Sequence, residues 1–154
     1  GGESMKSAED RLQEGTGLEL GRILNKEIFL YLLDLEVKRA RRYQNFLCLL
    51  LLNLQQFSKN DDDRNLQSCH QTLSNLLMDE MRETDILGSL GGSKLVVLLP
   101  YADKSEGSIA KARFEGTLKY YDFKGKGYEV KIDQVCFPIN GTDTVDIIKK
   151  ALGS

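Results

Sequence analysis

The sequence is poor in the residues that mark the commonest specialised chains, and each shortage excludes something. Its 154 residues contain one histidine, His70. As the single histidine it reads as a surface residue rather than a zinc ligand. The three cysteines, Cys48, Cys69 and Cys136, show no Cys-x-x-Cys spacing and cannot all pair. That pattern fits reduced thiols in a cytoplasm, with Cys48 and Cys136 as core residues of apolar runs. There is no excess of positive charge: the formal net charge of −2 excludes generic binding to nucleic acid or to a membrane surface. No apolar run approaches the roughly 18 residues of a membrane span; the longest, Phe46 to Leu52, has strand length. Signal-peptide pattern, internal repeats and low-complexity tracts are all missing.

What is present is ordinary for a globular chain, 41% hydrophobic and 29% charged, and long enough for one domain with a proper core. The opening Gly-Gly-Glu-Ser-Met reads as a tag remnant. Residues 1–21 are expected to be that remnant plus a linker or short helix, and residues 22–152 to be the domain, excised from a longer protein.

From Ile23 to Tyr43 the apolar positions Leu24, Ile28, Leu32 and Leu35 recur at helical spacing, with Arg39, Arg41 and Arg42 at the end where the helix dipole favours cations. Phe46 to Leu54 predicts a buried strand, and the run of Asp61 to Asp63 a solvated loop. A second helix is expected from about Leu66 to Glu83, with Leu73, Leu76, Leu77 and Met81 inward. Ile86, Leu87 and Leu90 then form a short strand, Gly91-Gly92 the positive-φ turn, and Leu95 to Leu99 an apolar strand covered on both faces and ended by Pro100. Lys104 to Tyr120 predicts a third helix, with Ile109, Ala112, Phe114 and Leu118 as candidates for its buried face. After a basic, glycine-rich turn, Tyr128 to Phe137 alternates as a strand with one wetter face. Asn140-Gly141 turns the chain into a final helix, Thr144 to Leu152, capped by Thr142 or Asp143.

At Arg82 to Pro100 the chain resembles a family. Arg82-x-x-Asp85, five residues, Gly91-Gly92-Ser93-Lys94-Leu95 and an apolar strand ending in Leu-Pro are similar, without gaps, to the GGDEF domain of bacterial diguanylate cyclases. The block Asn25-Lys26-x-x-Phe29-x-x-x-Leu33-x-x-Glu36-x-x-Arg39-Ala40-x-Arg42 resembles that family's first helix, and Thr16-Gly17-Leu18 its displaced Thr-Gly-Leu. The resemblance covers residues 22 to 152. It implies an α/β sandwich of the α+β kind: a ferredoxin-like, polymerase-palm-like fold whose central, mostly antiparallel sheet is flanked by helices.

The same resemblance locates a loss. The family's Asp-x-Asp-x-Phe-Lys reads here Asn53-Leu54-Gln55-Gln56-Phe57-Ser58, and the two acidic signature positions are Ser93 and Lys94. The guanine-recognising aspartate falls at Gln67 or His70, neither of them an acid. Magnesium prefers carboxylate oxygens, so the resemblance implies no catalysis and no Mg²⁺. Lys94 is either a solvated hairpin-tip side chain or a replacement for the metal's charge in a pocket that holds nucleotide without turnover.

Another site is spared. Arg82 and Asp85 match the family's product-inhibition motif, and its second arginine, from the helix after the hairpin, falls on Arg113. The resemblance therefore implies a cyclic di-GMP site of Arg82, Asp85 and Arg113, with Arg39 reaching a neighbour's site in a dimer. An arginine fork can pair with guanine O6 and N7, and an aspartate can accept from N1 and N2. Against this stands a plain reading in which Arg82 and Asp85 pair with each other and Arg113 is a solvated helix residue. Three functions are carried forward: a non-enzymatic cyclic di-GMP receptor that signals to another domain or an effector, a ligand-independent dimerisation or interaction module, and a GTP-binding pseudo-cyclase. Within the family, receptors of this kind serve exopolysaccharide export, biofilm formation and motility. The expected location is the cytoplasm, the cytoplasmic part of a membrane-anchored protein included. No nucleic-acid or direct membrane partner is expected.

Overall fold

A computed structural model describes residues 23–57 and 63–153. Its strands are β1 (Leu47–Gln56), β2 (Ile86–Gly91), β3 (Lys94–Pro100) and β4 (Tyr128–Phe137). They form one sheet in the order β2-β3-β1-β4, and every pairing is antiparallel. The helices are α1 (Lys26–Tyr43), α2 (Asp63–Glu80), α3 (Lys104–Leu118) and α4 (Thr144–Gly153), and a 3₁₀ turn spans Lys124–Lys126.

The unbroken apolar runs of β1 and β3 are explained by their central places. Side chains alternate between faces along a strand, and here both faces are covered. Leu47, Leu49 and Leu51 of β1 join a core with Phe29, Leu33 and Val37 of α1 and Ile147 of α4. Leu50, Leu52 and Leu54 join the opposite core, with Leu73 and Leu77 of α2 and Phe114 and Leu118 of α3. This α+β sandwich is the expected architecture. At the hairpin, Gly91 and Gly92 adopt φ of 96° and 58°, values that a side chain would oppose. No described helix is long and apolar enough to cross a membrane.

Several local expectations are corrected. The buried stripe of α1 is Phe29, Leu33, Val37 and Ala40, while Leu35 is exposed and Leu24 precedes the helix. The polar N-cap explains the shift: Asn25 accepts from the Ile28 N–H at 2.9 Å and starts the helix later than Ile23. On α3, Ile109 and Ala112 face outward, and Gly107, Ala110, Phe114 and Leu118 face the sheet. Its start is fixed by a capping box, in which Asp103 accepts from the Glu106 N–H at 2.8 Å and Glu106 from the Asp103 N–H at 3.3 Å. Phe46, expected in the buried strand, is exposed ahead of β1. Asp143, one of two candidate caps, accepts from the Asp146 N–H at 2.8 Å.

The cysteine expectation is overturned. Cys48 and Cys136 are joined in a disulfide, and Cys69 is buried outside it. Linear spacing, 88 residues apart, gave no hint of it. The pairing of β1 with β4 sets the two residues directly opposite each other. Residues 1–22, Ser58 and Asp61–Asp62 lie outside the described residues, and with them Thr16-Gly17-Leu18.

Candidate functional site

The connector from α2 to β2 carries Arg82 and Asp85, and its sequence dictates its shape. α2 stops at Glu80 instead of running on to Glu83. The Asp85 N–H donates to the Arg82 carbonyl at 3.0 Å, and Asp85 Oδ2 accepts from the Arg82 N–H at 2.9 Å. Arg-x-x-Asp thus closes its own turn, a role aspartate favours. Among the described residues no ion pair joins the Arg82 guanidinium to Asp85, so the plain reading of a mutual surface pair is not what forms. The turn holds Asp85 through its backbone-facing oxygen, while its Oδ1 has no hydrogen-bond donor among the described residues.

Arg113 comes from α3, three turns after the capping box. Its Nε lies 3.0 Å from Glu80 Oε1, with both side chains 27% exposed. Thr117 donates to Glu80 Oε2 at 2.8 Å. Glu80 thereby orients the guanidinium from behind. Arg113 Nε, whose contact with Glu80 is an ion pair without hydrogen-bond geometry, and Nη2 are both buried with no hydrogen-bond partner among the described residues, an unusual state for buried donors.

Arg82, Asp85 and Arg113 line one cavity of about 440 Å³, together with Tyr101, Glu106 and Ile109. That volume falls within the roughly 300–1,000 Å³ of ordinary ligand pockets. Burial pushes the Asp85 carboxyl above the usual 3.8, opposed by the Arg82 N–H and by the charges of Arg113 and Arg82. Tyr101 and Ile109 were not foreseen. Tyr101 is 59% exposed and holds φ of 62°, a costly conformation for an aromatic residue and one that often marks a functional position. Tyrosine directly after Leu-Pro was the available signal. Arg39 lies elsewhere, on α1, paired with Glu36 at 3.0 Å. Larger hollows of about 600 and 560 Å³ lie along 138–150 and beside β4. Neither gathers the predicted residues.

The other predicted cluster sits at the far end of the sheet. Register places Lys94, Asn53 and Lys131 side by side across β3, β1 and β4, and Gln55 follows on β1. An amide between two ammonium groups is a poor seat for a divalent cation, because both neighbours repel it. Gly92 and Ser93 line a cavity of about 400 Å³ with Gln67 and His70. Both alternatives for the family's guanine-reading position therefore reach the same hollow. Burial pushes the His70 imidazole below the usual 6.5.

An antiparallel sheet in this order, with two of the described helices on each face, defines a ferredoxin-like α+β domain. The family model "Diguanylate cyclase, GGDEF domain" matches residues 19–152, and the chain belongs to the GGDEF family. Its fold is shared with a diguanylate cyclase protein from Thermotoga maritima, at TM-score 0.72 and 17% identity over 86% of this chain and 97% of that one. The coiled coil and GGDEF domain of DgcB from Caulobacter crescentus, in complex with cyclic di-GMP, matches at TM-score 0.78 and 13% identity, covering 97% and 83%. The GGDEF domain of TpbB (YfiN) from Pseudomonas aeruginosa matches at TM-score 0.70 and 18% identity, covering 86% and 87%. No curated protein sequence matches the chain.

Proposed function

We propose that this GGDEF domain is catalytically inactive and serves as a cyclic di-GMP receptor, passing the signal to a further domain or an effector protein. The observation that carries this reading is the convergence of Arg82, Asp85 and Arg113 on one cavity of about 440 Å³. Each group suits guanine. Asp85 offers an acceptor oxygen for N1–H and the 2-amino group, and the arginine forks offer paired donors for O6 and N7. The exposed ring of Tyr101 can take a base face by stacking. Each bidentate pair is worth about 1–3 kcal/mol, so together with stacking the set reaches the ~8 kcal/mol of micromolar binding. The cyclic di-GMP complex of DgcB supports the ligand class.

Inactivity rests on the Lys94–Asn53–Lys131 row. Two-metal phosphoryl chemistry needs carboxylates there to hold the ions, and these side chains do not fit Mg²⁺. In this reading Asn53, Gln55, Ser58, Ser93 and Lys94 are remnants of the family's catalytic positions. A second reading, a pseudo-cyclase that still holds GTP, is favoured by the cavity that Gln67, His70, Gly92 and Ser93 share. Titration calorimetry separates the two. Cyclic di-GMP is expected to release heat with wild type and little or none with Arg82→Ala. GTP is expected to give no heat, with or without Mg²⁺. A wild-type protein silent to cyclic di-GMP leaves an interaction module, and Arg39 at a neighbour's site can be tested only once binding is seen.

A further inference from the structure

The two edges of the sheet are finished differently. At β2 the chain closes the edge itself: the Leu24 N–H donates to the Leu87 carbonyl and the Leu24 carbonyl accepts from the Ser89 N–H, both at 2.9 Å. At β4 only the ends are closed. The Tyr128 N–H donates to the Phe123 carbonyl at 2.9 Å. Cys136 gives its N–H to Asn140 Oδ1 at 2.8 Å, and its carbonyl accepts from the Asn140 N–H at 2.7 Å. These bonds also fix the parity of the strand. Backbone groups at even positions point away from β1, so between the closed ends Val130, Ile132 and Gln134 present N–H and C=O groups outward. Among the described residues nothing pairs with them.

We propose that this open stretch of β4 is the interface for a second copy of the chain, pairing antiparallel about a two-fold axis at Ile132. The charge pattern of the strand chooses both the occupant and the register. The odd positions Glu129, Lys131 and Asp133 share one face, and Lys131 and Asp133 are exposed. Neither makes an ion pair with another described residue. Centred on Ile132, two copies set each Lys131 opposite Asp133 of the other chain, twice by symmetry. Ile132 meets Ile132 and Val130 meets Gln134, and each of these facing pairs exchanges both backbone hydrogen bonds. Sliding the axis one residue to Lys131 sets lysine against lysine and Glu129 against Asp133, which cross-strand pairing disfavours. The closed ends leave room for this register, because Asn140 stops the ladder just beyond Gln134. On the other face, Val130 and Ile132 border a groove of about 560 Å³ whose lining mixes apolar Leu118, Tyr121 and Phe123 with charged Glu115, Lys119 and Lys124. The interface joins two four-stranded sheets into one, and it does not depend on the ligand reading.

Sedimentation equilibrium at low salt tests the proposal on the whole chain. The wild-type mass is expected to rise from 17.4 kDa toward twice that value with concentration. Lys131→Asp faces each Asp133 with an aspartate, and Asp133→Lys faces each Lys131 with a lysine. Each variant alone is expected to dimerise about tenfold more weakly or worse, since two facing pairs reverse sign. Mixed one to one, the variants regain opposite charges at both pairs, and the dimer is expected to return. That recovery also shows both variants folded. A wild type that stays monomeric at millimolar concentration overturns the proposal. So does a dimer indifferent to both reversals, or a mixture that remains monomeric.

Discussion

Arg113 is a half-buried member of the candidate pocket, and replacing it separates charge from shape. Its Nε lies 3.0 Å from Glu80, and Nη2 is buried without an acceptor among the described residues. If a guanine edge takes that end of the guanidinium, Arg113→Ala removes one bidentate base contact, about 1–3 kcal/mol. At ~1.4 kcal/mol per decade, the dissociation constant for cyclic di-GMP rises about 5- to 150-fold. Arg113→Lys keeps the positive charge and can still reach Glu80, but it lacks the planar fork. It should therefore bind nearly as weakly as the alanine variant. The cost to folding is small in both. Thr117 still donates to Glu80 Oε2 at 2.8 Å, and a partly exposed ion pair contributes about 1 kcal/mol or less. Calorimetry gives the affinities and urea unfolding the stability. An Arg113→Lys protein that binds like wild type would show that only charge matters and would refute the bidentate arrangement. An unaltered Arg113→Ala protein would refute the pocket.

Four further outcomes are expected. Burial raises the Asp85 carboxyl above 3.8, so its contribution to stability is complete below the unfolded value and is lost as pH rises through the folded one; Asp85→Asn should leave neutral-pH stability equal or higher in urea unfolding while abolishing calorimetric binding. For the same reason wild-type affinity should weaken in acid before an ordinary aspartate would protonate, which a titration series across pH reads directly. Tyr101→Gly relieves a φ of 62°; it should raise stability by up to about 1 kcal/mol yet weaken cyclic di-GMP binding through the lost ring. A methyl group at Gly88 would lie 2.5 Å from Phe29 Cδ2, so Gly88→Ala should cost about 1–3 kcal/mol in urea unfolding through overpacking.

Periodicity and turn chemistry made most of the fold legible. The unbroken run Leu95–Leu99 announced a strand covered on both sides, and Gly91-Gly92 announced the hairpin. Faces of helices were less legible. On α3, the apolar Ile109 predicts a buried position, but the sheet is approached through Gly107 and Ala110. Glycine sits at 107 because Cys48 and Gln134 already fill the space a Cβ would take, a constraint no helical period reveals. The disulfide stayed hidden for a similar reason: only strand register sets Cys48 opposite Cys136. Of the candidate site, motif spacing gave Arg82, Asp85 and Arg113. Glu80 and Tyr101 escaped notice, since the sequence does not say which neighbours a guanidinium leans on or where a tyrosine is forced into the left-handed region.

The most direct measurement of the central claim follows backbone amides and arginine Nε–H groups by two-dimensional NMR while cyclic di-GMP is added. The account predicts movement of the Arg82 and Arg113 Nε–H signals and of the Asp85 and Tyr101 amides, with Gly92, Ser93 and His70 left in place. Movement confined to Gly92, Ser93 and His70, or no movement anywhere, would contradict it.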